Sequence, residues 1–146
     1  MKKFQDKVVW ITGSSSGIGE ATAYEFAKEG AKLILTALEA DLLQQVCKKC
    51  EELGSPKAEA LPFDLSQKDQ VAELAEKAWN VFGYIDVFYN NAGISQRSKT
   101  IDTEMKVINK VMDINYFAPV IMTKVILPKM VERGGGQLVV TTSING

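Results

Sequence analysis

Histidine is absent from the 146-residue chain, which excludes a Ser-His-Asp triad and most zinc sites. The chain also lacks an excess of one charge, because 17 basic and 18 acidic residues leave a net charge of −1. Such a balance gives no reason to expect a nucleic acid or an anionic membrane surface as a partner. We therefore expect no metal site, no nucleic-acid partner and no membrane partner.

Long apolar runs are lacking as well. The basic start at Met1–Lys3 is followed by a short apolar run, Val8–Ile11, and then by a polar loop. That run is too short for the core of a signal peptide, and we expect no stretch long enough to span a bilayer. The sequence therefore predicts a cytoplasmic protein.

Cysteine is scarce, and the two that are present, Cys47 and Cys50, form a C-x-x-C pair. A redox pair of this kind usually starts a helix just after a strand, where the helix dipole lowers the thiol pKa. Here the pair lies inside a helical segment flanked by lysine and glutamate, and a metal site would need more ligands. We interpret both residues as structural thiols.

The composition that remains, 46% hydrophobic and 24% charged, is typical of a single soluble globular domain, here residues 1–146. Strand and helix patterns alternate along it. Strands are predicted at 7–11, 32–37, 58–63, 85–89 and 137–142. Helices are predicted at 18–28 and 41–53, and a third runs from a capping box at Ser66 and Asp69 to Phe82. A long helix at about 103–131 is predicted to bend near Asn115 and Pro119. This order predicts an α/β fold with a parallel sheet covered by helices on both faces.

A glycine loop lies between the first strand and the first helix, where Thr12–Gly19 reads T-G-S-S-S-G-I-G. Gly13 can supply the turn, Gly17 can allow close approach of a phosphate to the backbone, and Gly19 can let the helix pack on the strand. The helix N-terminus then offers N–H groups to an anion. The spacing is G-x-x-x-G-x-G rather than G-x-G-x-x-G, and a plain turn remains the alternative.

A second motif, Asn90-Asn91-Ala92-Gly93, ends the fourth strand. Ligands of parallel α/β sheets bind at the carboxyl ends of the strands. The two asparagines can hydrogen-bond backbone groups of neighbouring loops, and Ala92 and Gly93 are small enough for a cofactor to lie against them. An ordinary asparagine turn is the alternative.

Taken together, these motifs resemble those of the short-chain dehydrogenase/reductase family. The resemblance also includes Asp64 after the third strand, Asn115 in the long helix, and Ser143 with Gly146 after the fifth strand. All of these residues follow the family order, and they cover the whole chain. The resemblance implies a Rossmann-like, doubly wound parallel sheet, truncated here after the fifth strand.

The resemblance also implies roles for particular residues. The pyrophosphate and adenosine ribose of NAD or NADP would be lined by Gly13, Ser15, Ser16, Gly17, Ile18 and Gly19. Asp64 and Leu65 would meet the adenine, while Asn91, Ala92 and Gly93 would border the adenine-side ribose and the nicotinamide half. The implied catalytic residues are Ser143, on the substrate oxygen, and Asn115, at the helix bend with a water of a proton relay. Each role has an ordinary structural alternative. Asp64 could be a turn acid, Ser143 a serine at a strand end, and Asn115 an asparagine that only interrupts the helix.

The activity that the resemblance implies is hydride transfer between NAD(P) and a small-molecule alcohol or carbonyl substrate. It depends on a tyrosine followed four residues later by a lysine, expected beyond Ser143. Tyr24 and Lys28 have this spacing, but they lie in the first helix. We therefore expect an N-terminal portion of a longer enzyme, inactive alone, and the alternative is a catalytically inactive dinucleotide-binding or regulatory module.

Two further expectations concern assembly. The intact enzyme is expected to be a homo-oligomer, a dimer or tetramer built on the long helix, as the resemblance implies. The fifth strand would leave its apolar residues 138–140 at a sheet edge, which is prone to aggregation or to pairing with another chain.

The choice between NAD and NADP is open in the sequence. An acid at the end of the second strand selects NAD, but Ala37 occupies that position and Leu38 follows it. Ser16 stands where some NADP-binding members have a basic residue. Glu39 and the lack of positive charge lean towards NAD, and the missing acid removes the usual reason to exclude NADP.

Overall fold

The computed structural model describes residues 1–144, so that Gly146 of the family motif lies outside the described residues. Strands and helices alternate along the chain, as the sequence predicts. The strands are β1 (Val8–Thr12), β2 (Lys32–Thr36), β3 (Ala58–Ala60), β4 (Val87–Asn90) and β5 (Gln137–Val140). The helices are α1 (Gly17–Lys28), α2 (Ala40–Leu53), α3 (Val71–Phe82), α4 (Met105–Met112) and α5 (Ala118–Arg133), with a π-helical segment at Asp113–Phe117 between the last two.

The five strands form one parallel sheet in the order β3-β2-β1-β4-β5. Trp10 of β1 pairs with Ile34 on one side and with Phe88 on the other. The order of the strands reverses between β1 and β4, which is the switch point where such sheets leave a crevice at their carboxyl ends. The predicted α/β, Rossmann-like architecture is confirmed.

Hydrophobic cores cover both faces of the sheet. Successive residues of β1 point to opposite faces, so that Val8 and Trp10 belong to the core beneath α3 and α5. Val9 and Ile11 belong to the core beneath α1 and α2. This double burial explains why β1 is apolar at four consecutive positions rather than alternating.

The two cysteines lie in the second of these cores. Cys47 and Cys50 are buried and unpaired, and burial raises the pKa of each thiol to about 12. The thiols therefore stay protonated at neutral pH, which is the opposite of what a redox pair needs. Their position supports the interpretation as structural thiols.

The segment after β3 departs from the prediction. The predicted capping box is wrong, because Ser66 does not cap a helix: its N–H and its hydroxyl both donate to Asp64 Oδ1, at 2.9 and 2.7 Å. A 3₁₀ turn at Lys68–Gln70 follows, and α3 begins at Val71 without a side-chain cap. A nearby aspartate thus engages the Ser66 N–H and hydroxyl that a capping box would have used at the start of the helix.

The long helical region is interrupted by the π-helical segment, and Pro119, which has no N–H to donate, lies in the first turn of the helix that follows. The region also overturns one expectation. Met105–Arg133 spans 29 residues, contains an 18-residue window with a mean hydropathy of 1.2, and could cross a membrane by length and composition, so the expectation that no stretch is long enough is wrong. Part of its apolarity belongs to the core, since 22% of that window is buried and one stripe packs under the sheet at four-residue spacing: Ile114, Ala118, Met122, Ile126 and Met130.

Candidate functional site at the carboxyl edge of the sheet

The glycine loop is anchored at its start and open beyond it. Ser14 is buried, its N–H donates to Thr36 O at 3.3 Å, and its hydroxyl lies 3.1 Å from Ile11 O. Ser16, Gly17 and Ile18 are exposed. Ser16 stands at the N-cap of α1 in an extended conformation, and its hydroxyl makes no capping hydrogen bond. The first N–H groups of α1 therefore keep the capacity to bind an anion.

Two glycines of the loop are required for different reasons. Gly17 has a φ of +57°, and a Cβ built on it would meet no atom within 4 Å, so its backbone borders open space. Gly19 faces the protein, since a Cβ there would lie 2.2 Å from the carbonyl oxygen of Gly13. A cradle that is tight on the protein side and open on the other fits a diphosphate that approaches the backbone closely.

The second motif is bonded to the glycine loop through Thr12 and Asn91. Thr12 Oγ1 accepts the N–H groups of Asn91 and Ala92, both at 3.1 Å. The Asn91 side-chain amide donates to Gly13 O at 3.2 Å. Asn90 behaves differently, because its Oδ1 is buried and has no hydrogen-bond partner within residues 1–144. Of the two asparagines expected to bond neighbouring loops, the side chain of Asn91 does so.

Asn115 lies in the π-helical segment and is bonded to the loop that follows β4. Its Oδ1 accepts the N–H of Ile94 at 2.8 Å, and its Nδ2 donates to the carbonyl of Ile94 at 2.7 Å. The neighbouring Gly93 lies so close that a Cβ there would be 3.4 Å from Asn115 Oδ1. Asn115 therefore holds the chain just beyond Gly93 against the helix, and π-helical turns are frequent at functional sites.

The residues expected near the adenine are split between the surface and the core. Asp64 is partly exposed, and hydrogen bonds from the Ser66 hydroxyl and N–H hold the pKa of its carboxyl below the usual value. Leu65 is buried in the core beneath α3 and α5. A contact of Leu65 with a bound base would therefore come from its backbone.

Ser143 follows β5 and is exposed. β5 pairs with β4 as far as Val140 opposite Asn90, and the N–H of Thr141 extends the ladder by donating to Asn90 O at 3.0 Å. Since the two strands end side by side, Ser143 comes out at the same edge of the sheet as Asn91 and Gly93.

The residue pair with the family's tyrosine and lysine spacing is not at this edge. Tyr24 hydrogen-bonds Glu20 at 3.2 Å, and Lys28 pairs with Glu25. Burial and the nearby Glu20 raise the pKa of Tyr24, whereas a catalytic tyrosine needs a pKa lowered towards neutrality. The interpretation of this pair as unrelated to catalysis agrees with its contacts.

Some residues at the site had no role in the sequence analysis. Thr12 belongs to the first motif, but no contact was predicted for its side chain. Its hydroxyl accepts the two backbone hydrogen bonds that come from the second motif. Glu39, noted only for its charge, accepts a hydrogen bond from the Ser15 hydroxyl at 3.0 Å. The second contact could not be read from the sequence, because 24 residues separate its partners.

The architecture and motifs agree with comparisons to known proteins. A family model described as short chain dehydrogenase matches residues 7–146. Human dehydrogenase/reductase SDR family member 7 is 41% identical over 144 residues, which cover 97% of this chain and 42% of the human protein. The chain thus spans less than half the length of this curated relative.

Solved structures show the same fold. L-sorbose reductase from Gluconobacter frateurii, complexed with NADPH and L-sorbose, superimposes with a TM-score of 0.91 and 31% identity over 98% of this chain and 54% of that chain. A 7α-hydroxysteroid dehydrogenase complexed with NADH and 7-oxo glycochenodeoxycholic acid gives a TM-score of 0.89 and 28% identity over 97% of this chain and 55% of that chain. With its fold, its two motifs and this match over residues 7–146, the chain belongs to the short chain dehydrogenase family.

Proposed function

We propose that the chain is the cofactor-binding portion of an NAD(P)-dependent oxidoreductase that interconverts an alcohol and a carbonyl compound. The observation that carries the proposal is the open cradle at the start of α1, where Gly17 borders free space and Ser16 leaves the helix N-terminus uncapped. The family relationship supports it, since solved relatives are complexed with NADPH or NADH.

The residues of this chain would divide the work of binding. Backbone N–H groups of Ser15 to Gly19 would receive the diphosphate, because the positive end of the α1 dipole lies there. Asp64 would remain ionised at neutral pH, since its pKa is lowered, and could accept a hydrogen bond from the adenine amino group. Asn91 and Ala92, fixed to Thr12, would border the adenine-side ribose and the nicotinamide half of the cofactor.

The reaction itself would combine the cofactor with two residues of this chain. The nicotinamide, when bound, supplies or accepts the hydride. The hydroxyl of Ser143 would donate a hydrogen bond to the substrate oxygen and hold it in place. Asn115, whose side chain is engaged by Ile94, would act by fixing the π-helical turn, so that its backbone rather than its amide is left to hold a water.

For the 146 residues alone we propose binding without turnover. Tyr24 is the sole tyrosine in the sequence with a lysine four residues later, and its contacts lie with Glu20. Tyr89 reaches the carboxyl edge, but its hydroxyl is bonded to Thr141 and no lysine stands four residues after it. This chain would therefore place no lysine-activated tyrosine there to transfer the proton that accompanies the hydride. A catalytically inactive dinucleotide-binding module remains the competing proposal.

We also propose that the intact protein is a homo-oligomer formed through the long helix. Its outer face carries large exposed apolar side chains at helical spacing: Tyr116, Val120, Leu127 and Val131. Exposed apolar side chains grouped on one helix face typically mark an interface. Sedimentation of the full-length protein tests this, and a monomer at micromolar concentration would contradict it.

The experiment that tests the proposed function is a titration of NADH and NADPH into the full-length protein, followed by intrinsic tryptophan fluorescence, with turnover assayed on secondary alcohols. We expect binding of at least one cofactor, and Ser143→Ala should abolish turnover while leaving cofactor affinity unchanged. Absence of binding would overturn the proposal. Binding without turnover on any alcohol or ketone would instead favour the inactive module.

A further inference from the structure

A chain of side-chain hydrogen bonds connects the end of β5 with the glycine loop. The hydroxyls of Tyr89 and Thr141 lie 2.7 Å apart, and Thr141 Oγ1 lies 2.8 Å from Asn91 Oδ1. The Nδ2 of Asn91 then reaches Gly13 O at 3.2 Å. Neither Tyr89 nor Thr141 belongs to the two sequence motifs, and the residues in contact are 50 and 52 positions apart.

The donor and acceptor of every hydrogen bond in this series follow from its last group, the carbonyl of Gly13. A backbone carbonyl can only accept, so the NH₂ group of Asn91 must face Gly13 and its carbonyl oxygen must face Thr141. That oxygen also only accepts, so Thr141 must donate its single hydroxyl proton to it. Tyr89 must therefore donate to Thr141. The resulting order is Tyr89 to Thr141 to Asn91 to Gly13, with no ambiguous bond.

The amide that this order fixes fills a crowded position. A Cβ on Gly19 would lie 2.6 Å from Asn91 Nδ2, and a Cβ on Gly13 would lie 3.1 Å from the same atom. Rotation of the amide would break its hydrogen bond to Gly13 O, and only glycine at positions 13 and 19 leaves room for the amide. Because Thr141 precedes Ser143 by two residues, the same bonds also tie the strand end that carries Ser143 to the loop.

We infer that Tyr89 and Thr141 are positioning residues, which orient the Asn91 amide and thereby hold the glycine loop and the end of β5 in their relative places. The inference rests on the proposed function for its effect on catalysis. Neither residue is assigned a contact with cofactor or substrate. Their influence passes through Asn91.

The test compares Thr141→Val, Thr141→Ser and Tyr89→Phe in the full-length protein. Thr141→Val removes the hydroxyl at nearly constant shape, and losing one hydrogen bond of about 1 kcal/mol should weaken NAD(P)H binding about fivefold. It should also increase amide hydrogen exchange in residues 13–19 without cofactor. Thr141→Ser should restore both properties. Tyr89→Phe should have a smaller effect, because the bond from Thr141 to Asn91 survives.

A double mutant separates this inference from a general packing effect. If Tyr89 acts through the Thr141 hydroxyl, adding Tyr89→Phe to Thr141→Val should produce no further change in affinity or exchange. Tyr84→Phe is the matched control, since the Tyr84 hydroxyl donates to Asp6 O at 2.9 Å at the opposite end of the sheet. It should leave cofactor affinity unchanged.

The outcomes are distinguishable. Additive effects of Tyr89→Phe and Thr141→Val, or a Thr141→Val protein with unchanged affinity and loop exchange, would overturn the inference while the proposed function stands. A wild-type protein that binds neither cofactor would overturn the proposed function, and the exchange measurement would still decide whether the hydrogen-bond chain orders the loop.

Discussion

The two ends of the sheet are held together by different chemistry. At the amino end a charged group is central: the Asp86 carboxylate accepts the N–H of Val8 at 2.9 Å and a guanidinium N–H of Arg133 at 2.8 Å. Arg133 also lies over the Tyr84 ring, with its guanidinium carbon 4.1 Å from the ring centre. Each of these charges is engaged by a partner within the fold.

At the carboxyl end the corresponding bonds are made by neutral groups, the hydroxyls of Thr12 and Thr141 and the amide of Asn91. A carboxylate in their place would repel a diphosphate through Coulomb interaction. These bonds between the strands bring no charge to the uncapped start of α1. The carboxylate near the glycine loop, Glu39, is bonded to the Ser15 hydroxyl instead. The groups that join the strands are thus charged at the amino end of the sheet and neutral at the carboxyl end, where α1 begins without a side-chain cap.

The largest change in cofactor affinity at the carboxyl end is expected from Gly19→Ala. The new Cβ would approach the Gly13 carbonyl oxygen to 2.2 Å, so the loop must move, and a cost of ~3 kcal/mol would weaken cofactor binding roughly a hundredfold. Calorimetric titration of NAD(P)H into the full-length protein measures this change. The matched control is Gly83→Ala at the end of α3, where φ is +84° and no atom lies within 4 Å. It should cost ~1 kcal/mol of stability and no affinity. Equal losses of cofactor affinity in Gly19→Ala and Gly83→Ala would contradict the special role of Gly19 in the loop.

A second substitution breaks the amino end. Asp86→Ala leaves the N–H of Val8 and the guanidinium of Arg133 without their acceptor, and we expect the free energy of unfolding to fall by about 2 kcal/mol. Cofactor affinity should stay unchanged, because the lesion lies at the far end of the strands. Urea unfolding, followed by cofactor titration under native conditions, measures both quantities. An affinity loss comparable to that of Gly19→Ala would show that the two ends are not separable.

A third prediction concerns the effect of the Glu39 carboxylate on the choice between NADP and NAD. Glu39 is the carboxylate bonded to the glycine loop, through Ser15, and its charge should disfavour the 2′-phosphate of NADP. Glu39→Gln should therefore raise the affinity for NADP relative to NAD by roughly tenfold. Glu29→Gln removes the same charge at the amino end, where Glu29 accepts the N–H of Lys3 at 2.9 Å, and should not alter the ratio. Competitive titrations of both cofactors decide the matter, and an unchanged ratio in Glu39→Gln would refute the prediction.

The smallest expected effect concerns pH. Hydrogen bonds from Ser66 lower the pKa of Asp64 in the folded state, so its ionised form stabilises the fold above the unfolded pKa of about 3.9. This contribution is lost as the pH falls through the lower, folded value. Asp64→Asn should be less stable than the parent at pH 7, by less than about 1 kcal/mol. The difference should shrink as the pH drops below about 3.9, as measured by urea unfolding across that range. A difference independent of pH would contradict the assignment.

Local features of the fold could be predicted from the sequence, because local patterns determine them. The apolar run of β1, the glycines after it and the small residues of Asn90–Gly93 are enough to place the strands, the loop and the crevice. The capping box predicted from the spacing of Ser66 and Asp69 was wrong because another nearby side chain bonds the same groups. Asp64, two residues before Ser66, took both of its donors.

Features that depend on distant contacts could not be predicted. Nothing near Thr141 indicates that its hydroxyl meets Asn91, and nothing near Asn115 indicates that both ends of its amide meet Ile94. The sequence predicts an interruption of the long helix near Asn115, and the π-helical segment includes that residue. The form of the interruption as a π-helical segment was not predicted, since proline spacing alone cannot distinguish a kink from a wider turn.

The π-helical segment has a consequence for how the protein can vary. The helices on either side of this wider turn differ in burial within the described residues, since α4 has no buried residue whereas α5 buries four. Substitutions along Met105–Met112 thus escape the packing constraints that govern Ala118–Arg133. Within the described residues, a change of side chain on α4 therefore leaves the core beneath α3 and α5 intact.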